Sequence, residues 1–258
     1  MLTLPISGVE ASWRPAIGRD DIALADGAHG LAGAVDYVRS AVEFAPHTDP
    51  LGLPVGDVDL LIVWNRRQQR GDTMVAEGHC GRCLEPVDVR FSLAAYAAHH
   101  RPRACRRAEP VGDGLFRLRS RSALFRLPTA GDVLVAAASA DPRSQLFARC
   151  LREPVSAPTR RAVETAMAQL APTLRAAVSG SCPECGTAFE LEVDARELSM
   201  VELRRDAIAV YDDVNLIATA YGWSEDVILD LPSERRRRYA GTIAGRLPES
   251  RTRELAGA

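Results

Sequence analysis

Ser181-Cys182-Pro183-Glu184-Cys185-Gly186, read together with the earlier Gly78-His79-Cys80-Gly81-Arg82-Cys83, decides how the rest of the chain is understood. Each stretch holds two cysteines with two residues between them, a spacing that lets one tight turn aim both sulfurs at a single point. A tetrahedral metal needs four such ligands, so two turns together would close one site. Alternating residues follow each turn: Val87, Val89, Phe91 and Leu93 after the first, Phe189, Leu191 and Val193 after the second. They read as strands, and a cysteine turn plus hairpin, given twice, is how zinc ribbons are built. Pro183 stiffens the second loop, and Gly186 suits the left-handed conformation a chain adopts as it turns back past a metal. Leu84 stands at the matching place in the first loop, where a glycine would help.

The expected ligands are therefore Cys80, Cys83, Cys182 and Cys185 around one structural Zn²⁺. Two pairs of reduced, metal-free thiols are the alternative, and His79 is a further candidate ligand. A redox pair of the thioredoxin kind would open a helix, whereas residues 187–193 alternate as a strand. Four thiolates leave no open coordination position for water, so such a site serves folding rather than catalysis.

Working outward, the 258 residues, 47% hydrophobic and 26% charged, are enough for one or two domains with a buried core. A net charge of −2 gives no general attraction to nucleic acid or anionic membrane. All 32 basic residues are arginine, and the chain has no lysine. No basic and apolar leader is evident in residues 1–20, and the apolar runs 60–64 and 133–138 are too short to span a bilayer. Six cysteines, four of them in paired turns, fit a reducing compartment, so a cytoplasmic protein is expected. Cys150, in an apolar helical pattern, reads as a small core residue.

Five segments are expected. Residues 1–70 hold helices at 31–44 and from Asp57 to about 70, the second capped by Asp57 and stopped by Gly71, with a loop at 46–56 between them. Residues 71–93 form the first half of the ribbon. Residues 94–178 are a strand and helical insertion, with strand patterns at 115–127 and helices starting at Thr129 or Asp132, at Asp141 or Ser144, and at Thr159, the last resuming after Pro172. Residues 179–195 are the second half, and 196–258 a C-terminal helical segment. The fold class is thus α+β, mainly helical: split zinc-ribbon-like hairpins with a helical insertion, and a weak repeat of helix, cysteine turn and strand. His99, His100 and the arginines of 94–115 read either as a solvated linker or as a metal or phosphate site. Residues 198–221 form a long amphipathic helix with Val201, Ile208, Tyr211, Val214, Ala218 and Tyr221 near its apolar face, ended by Gly222. Trp223 is a plug between two helices or an exposed anchor. Arg235 to Arg238 circle a helix and read as a solvated run, with Arg235 and Arg236 able to pair with Asp212, Asp213 or Glu225.

Residues 217–232, Ile-Ala-Thr-Ala-Tyr-Gly-Trp-Ser-Glu-Asp-Val-Ile-Leu-Asp-Leu-Pro, followed by Arg235, Arg236 and Tyr239, resemble the C-terminal signature of baseplate proteins and T-even-type baseplate hub assembly chaperones. These belong to contractile phage tails and contractile injection systems. Cys182 to Gly186, Asp194, Asp213 and Val214 match the same order, and Phe125 to Thr129 with Asp132 and Arg149-Cys150-Leu151 resemble the family's middle portion. The resemblance covers roughly 57–246, with Asn215 departing from it. It implies a non-enzymatic assembly or structural factor whose partners are hub, spike or wedge proteins. Tyr221, Trp223, Arg235, Arg236 and Tyr239 are the candidate partner-binding residues. The competing expectation is a nucleic-acid-binding zinc-ribbon protein using Arg101, Arg103, Arg106, Arg107 and the run at 235–238. No phosphate-cradling loop, nucleophile elbow or His-Glu-x-x-His appears, so no enzyme is expected, and no catalytic residue is assigned.

Overall fold

The computed structural model describes residues 1–245 apart from Pro46 and Ser122. Residues 246–258 of the expected C-terminal segment, and Pro46 in the expected 46–56 loop, lie outside the described residues. The architecture is α+β, about half helical, with small antiparallel sheets.

Leu2–Thr3 (β1), Glu10–Trp13 (β2) and Val42–Ala45 (β3) make a three-stranded antiparallel sheet. Between β2 and β3 come Gly18–Asp26 (α1) and Gly30–Ala41 (α2). The segment 1–30 thus holds elements too short for any periodicity to reveal, and the helix expected over 31–44 gives way at Val42 to a strand. Val55–Arg70 (α3) buries Leu61, Ile62 and Val63, with Leu60 and Trp64 half-buried, and ends at Gly71. Asp57 is not its cap. It lies inside the first turn, buried, and accepts hydrogen bonds from the Ile6 and Ser7 amides at 3.1 and 2.8 Å, tying the β1–β2 turn to the helix.

Thr73–His79 (β4) and Pro86–Ser92 (β5) form a seven-pair antiparallel hairpin that runs into Leu93–His99 (α4), capped by the Ser92 hydroxyl. The basic stretch after it is therefore partly helical, and Cys105 is buried in the next core. Ala108–Gly112 (β6), Leu115–Leu118 (β7) and Leu124–Arg126 (β8) make a meander. It packs with Pro142–Cys150 (α6) and Ala157–Leu170 (α7) around Phe125, Phe147 and Val163. Ala130–Ala137 (α5) precedes them, and Thr129 and Asp132 close a capping box at its start. Burial opposes the ionised form of Asp132, yet Arg126, the Thr129 amide and Arg149 hold its carboxyl well below the usual range. The helix α7 starts at Ala157, with Thr159 buried in its first turn rather than capping it.

After Pro172 the chain does not resume as helix. Arg175–Ser181 (β9) pairs with Ala188–Asp194 (β10) in a second seven-pair hairpin, which feeds Ala195–Tyr221 (α8), capped by Asp194. The weak repeat is real: helix, hairpin with a cysteine tip, capped helix. Buried Asp59 on α3 joins the two halves, accepting from the Leu174 amide at 3.0 Å and from Arg196 at 2.9 Å. Helix α8 is turned from the sequence expectation: of the six residues placed on its apolar face, only Val214 and Ala218 pack against a core. Its buried face is Met200, Leu203, Arg204, Ala207, Val210, Asp213 and Ile217, while Val201, Ile208, Tyr211 and Tyr221 are exposed. The cause is two charged residues, Arg204 and Asp213, that point inward and break the apolar pattern.

Glu225–Leu229 (α9) and Ser233–Ala244 (α10) pack on the end of α8 around Ile217, Ile228 and Ala240. The run at 235–238 is not uniformly solvated. Arg236 is fully buried, 2.8 Å from Asp21 of α1 and 2.9 Å from Asp213 of α8, while Arg235, Arg237 and Arg238 are exposed. Gly18 packs against Leu229 and this guanidinium, so α1, α8, α9 and α10 converge there. Removing one member of a buried ion cluster leaves its partners as uncompensated charges. Arg236→Met is expected to lower stability by about 3–5 kcal/mol, measured by urea unfolding, whereas Arg235→Met changes it by less than about 0.5 kcal/mol.

Candidate metal centre

The two hairpin tips are built alike. In the first, the Cys80 amide donates to the Glu85 carbonyl and the Leu84 amide to the Cys80 carbonyl, both at 2.9 Å. In the second, Cys182 donates to Thr187 and Gly186 to Cys182, again at 2.9 Å. Leu84 and Gly186 occupy the same left-handed conformation, with φ of 63° and 68°. The glycine takes it freely, while the leucine does so with its side chain 74% exposed.

The tips meet face to face. Leu191 of β10 lies over Gly78 of β4, where an added Cβ would stand 2.7 Å from its Cδ1, so a larger residue there would push the leucine side chain aside. Val87 and Phe189 cover the sulfurs from the strands behind. Arg82 reaches across to the Thr187 hydroxyl at 3.3 Å.

Cys80, Cys83, Cys182 and Cys185 place their four Sγ atoms within 4.8 Å of one another. Close separations run between hairpins: Cys80 to Cys185 at 3.7 Å and Cys83 to Cys182 at 3.6 Å. All four are free thiols, well beyond the roughly 2.05 Å of a disulfide. With Zn–S bonds of about 2.3 Å, the sulfurs of a tetrahedral site lie about 3.8 Å apart. The donor set and spacing therefore fit a metal ion such as zinc. Cys80 and Cys182 are buried, and Cys83 and Cys185 half-buried.

The environments of the thiols differ. Amides of Cys83 and Arg82 lower Cys80. Thr187, through its hydroxyl and its amide, brings Cys185 down to about 6. Cys83, although the Glu85 amide works to lower it, is pushed up to about 12 by burial and by the sulfurs of Cys182, Cys185 and Cys80. Crowded thiolates repel, and a divalent cation relieves that repulsion while holding all four deprotonated.

No family model matches the chain, nor does any curated protein or solved structure.

Among the described residues, this is the one group of His, Cys, Asp or Glu side chains close enough to hold a metal. His79 is exposed at the end of β4 and is not in the cluster. His99 and His100 lie ring to ring, His100 against Tyr96 with its Nδ1 2.8 Å from the Tyr96 carbonyl, and Glu109 pairs with Arg119 instead. Cys150 is buried, and burial pushes its thiol up to about 11. Of the five candidate partner-binding residues, four share one surface. Tyr221 lies 5.4 Å from Trp223, Trp223 is 5.6 Å from Tyr239, and Arg235 stacks 5.6 Å over Tyr239. Trp223 is half-buried against the core of α8, α9 and α10, as a plug would be. Arg236 is inside the fold.

Sequence reasoning missed Thr187, Arg82, Val87 and Phe189 as the surround of the sulfurs. The signal was there for two of them, since Val87 and Phe189 each lie four residues after the second cysteine of their turn.

The matched tips allow a direct comparison. Leu84→Gly is expected to raise stability by about 0.5–1 kcal/mol by relieving the left-handed strain, and Gly186→Ala to lower it by about 1 kcal/mol. Denaturant midpoints of the two variants check both signs.

Proposed function

We propose that the chain is a non-catalytic, zinc-ribbon protein that works through protein–protein contacts, as an assembly or structural factor of a contractile, phage-tail-like baseplate. The observation that carries the structural part is the closed set of four sulfurs joining two hairpins. A four-thiolate site offers a metal no vacant position for substrate or water, so its contribution goes into holding the halves of the fold together. The baseplate part rests on the resemblance of residues 217–239 and on the surface group of exposed Tyr221 and Arg235 with half-buried Trp223 and Tyr239. Aromatic and arginine side chains grouped on one surface are the usual anchors of protein interfaces. In this reading the partners are hub, spike or wedge proteins, and the protein acts in the cytoplasm.

A second reading, nucleic-acid binding, is favoured by one observation: Arg101, Arg103, Arg106 and Arg107 are exposed, and none makes an ion pair among the described residues. It requires binding that weakens steeply with salt. The acidic balance of the chain counts against it.

Elemental analysis of protein purified without a metal-affinity tag is expected to give one zinc per chain. Cys185→Ser is expected to lose the metal and to unfold at markedly lower denaturant concentration. Intact, folded protein without zinc sinks the metal part. Co-purification from the native cell is expected to recover a baseplate component with the wild-type chain and less of it with Trp223→Ala. Recovery of nucleic acid in its place, lost as salt is raised, favours the second reading.

A further inference from the structure

We infer that one end of the insertion's meander is a docking site for the phosphate backbone of double-stranded nucleic acid. The inference rests on the second reading above and narrows it to one place. Charge is not spread evenly along the chain. Residues 101–126 hold eight arginines against Glu109 and Asp113, and residues 94–171 hold 13 against six Asp and Glu. With a net charge of −2 for the whole chain, the insertion is strongly basic and the remainder acidic. The acidic balance thus belongs to the part that carries the sulfur cluster, and a polyanion meets the opposite field at the insertion.

Backbone pairing draws the arginines together. The start of β6, the end of β7 and the start of β8 lie at one end of the sheet. There the Arg119 amide donates to the Arg107 carbonyl at 2.8 Å, and the Arg121 amide donates to the Leu118 carbonyl at 3.3 Å in the β7–β8 turn. The Arg152 amide donates to the Leu124 carbonyl at 3.1 Å, which adds the segment after α6 to the same end. Arg106, Arg107, Arg119, Arg121 and Arg152 are all exposed. Arg121 and Arg152 line a cleft of about 370 Å³ with Glu153, Ser156 and Thr159, large enough for a phosphate group. Arg121 is steadied there by donating to the Thr159 hydroxyl at 3.3 Å. Glu109, 3.2 Å from Arg119, and Glu153 offset only part of this charge. What sets this end apart is its net sign: guanidiniums from three separate segments repel one another, and a row of phosphates relieves that repulsion.

Shape selects the duplex. Single strands are held by aromatic platforms under the bases, and membranes by apolar groups that enter the lipid. Phe116 and Phe125 of the meander pack into the insertion's own core. The converging segments 105–108, 118–124 and 151–156 expose no large apolar side chain among the described residues. Arginine forks grip phosphate oxygens two at a time and need neither feature.

The test is fluorescence anisotropy of the zinc-loaded full chain with a labelled DNA duplex of about 20 base pairs, from about 50 to about 300 mM salt. Binding is expected at the low end, falling steeply with salt, and equal for a duplex of unrelated sequence, because phosphates carry no sequence information. Arg121→Gln combined with Arg152→Gln should weaken it by at least about tenfold at low salt and reduce the slope of log K against log salt by about two. Arg106→Gln combined with Arg107→Gln should do the same, while Arg205→Gln on α8 should leave it within about twofold. All these residues are exposed, so wild-type zinc content and thermal unfolding of each variant are the control for folding. No binding at about 50 mM salt overturns the inference and the second reading together. Binding that both double variants keep at full strength overturns this site alone. So does a preference for the single strand, or for vesicles of phosphatidylserine, over the duplex.

Discussion

Four sulfurs drawn from points 99 and 105 residues apart in sequence meet within a few ångströms, and the layout of the molecule depends on that meeting. Each hairpin leads without a linker into a capped helix, so fixing the tips also fixes the lines of α4 and α8. Helix α8 then takes part in three of the apolar cores in turn: beside the N-terminal sheet, beneath the hairpins, and under α9 and α10. The meander and the helices of the insertion build a core of their own around Phe125 and Phe147, which lets some 80 residues lie between the halves without disturbing their contact. Closing so long a loop costs only slightly more than closing a short one, because the entropy grows with the logarithm of length.

Ion clusters join what apolar packing leaves separate. Asp132 gathers Arg126 from β8 and Arg149 from α6 at the start of α5. Asp59 gathers Arg196 and the Leu174 amide between α3 and the second hairpin. Arg236 sits between Asp21 and Asp213. Arginine suits each place, since its planar fork holds two acceptors at once and stays charged when buried. The use of arginine to the exclusion of lysine therefore has a structural side.

Much of the four-cysteine cluster was legible in the sequence, because two-residue cysteine spacing constrains local geometry wherever it occurs. The order of the helices in the insertion also followed from caps such as Thr129 and Asp141. The face of α8 did not. Arg204 and Asp213 occupy interior positions, and buried charges displace the apparent apolar face, so that only Val214 and Ala218 of the expected set pack inward. Strand β9 was read as helix for a related reason: Leu174, Ala176 and Val178 alternate, but the alanines around them favour helix, and only the pairing with β10 decides the matter. The short strands β1 and β2 have too few residues to carry any period. Arg236 could be matched to Asp213 from the sequence but not to Asp21, which lies 215 residues earlier and comes near only through the packing of α1 on α8.

The place of Arg236 also bears on the timing of folding during synthesis. Asp21 leaves the ribosome early and Asp213 late, and both are carboxylates destined for the interior. Their counter-charge is not made until residue 236 has been translated and has cleared the exit tunnel. Until then the junction of α1 with α8 would enclose two like charges with no cation between them, which strongly disfavours closure. Closure of that edge is thus tied to α10, the last helix of the described residues. The last helix acts as the latch that lets the first one settle.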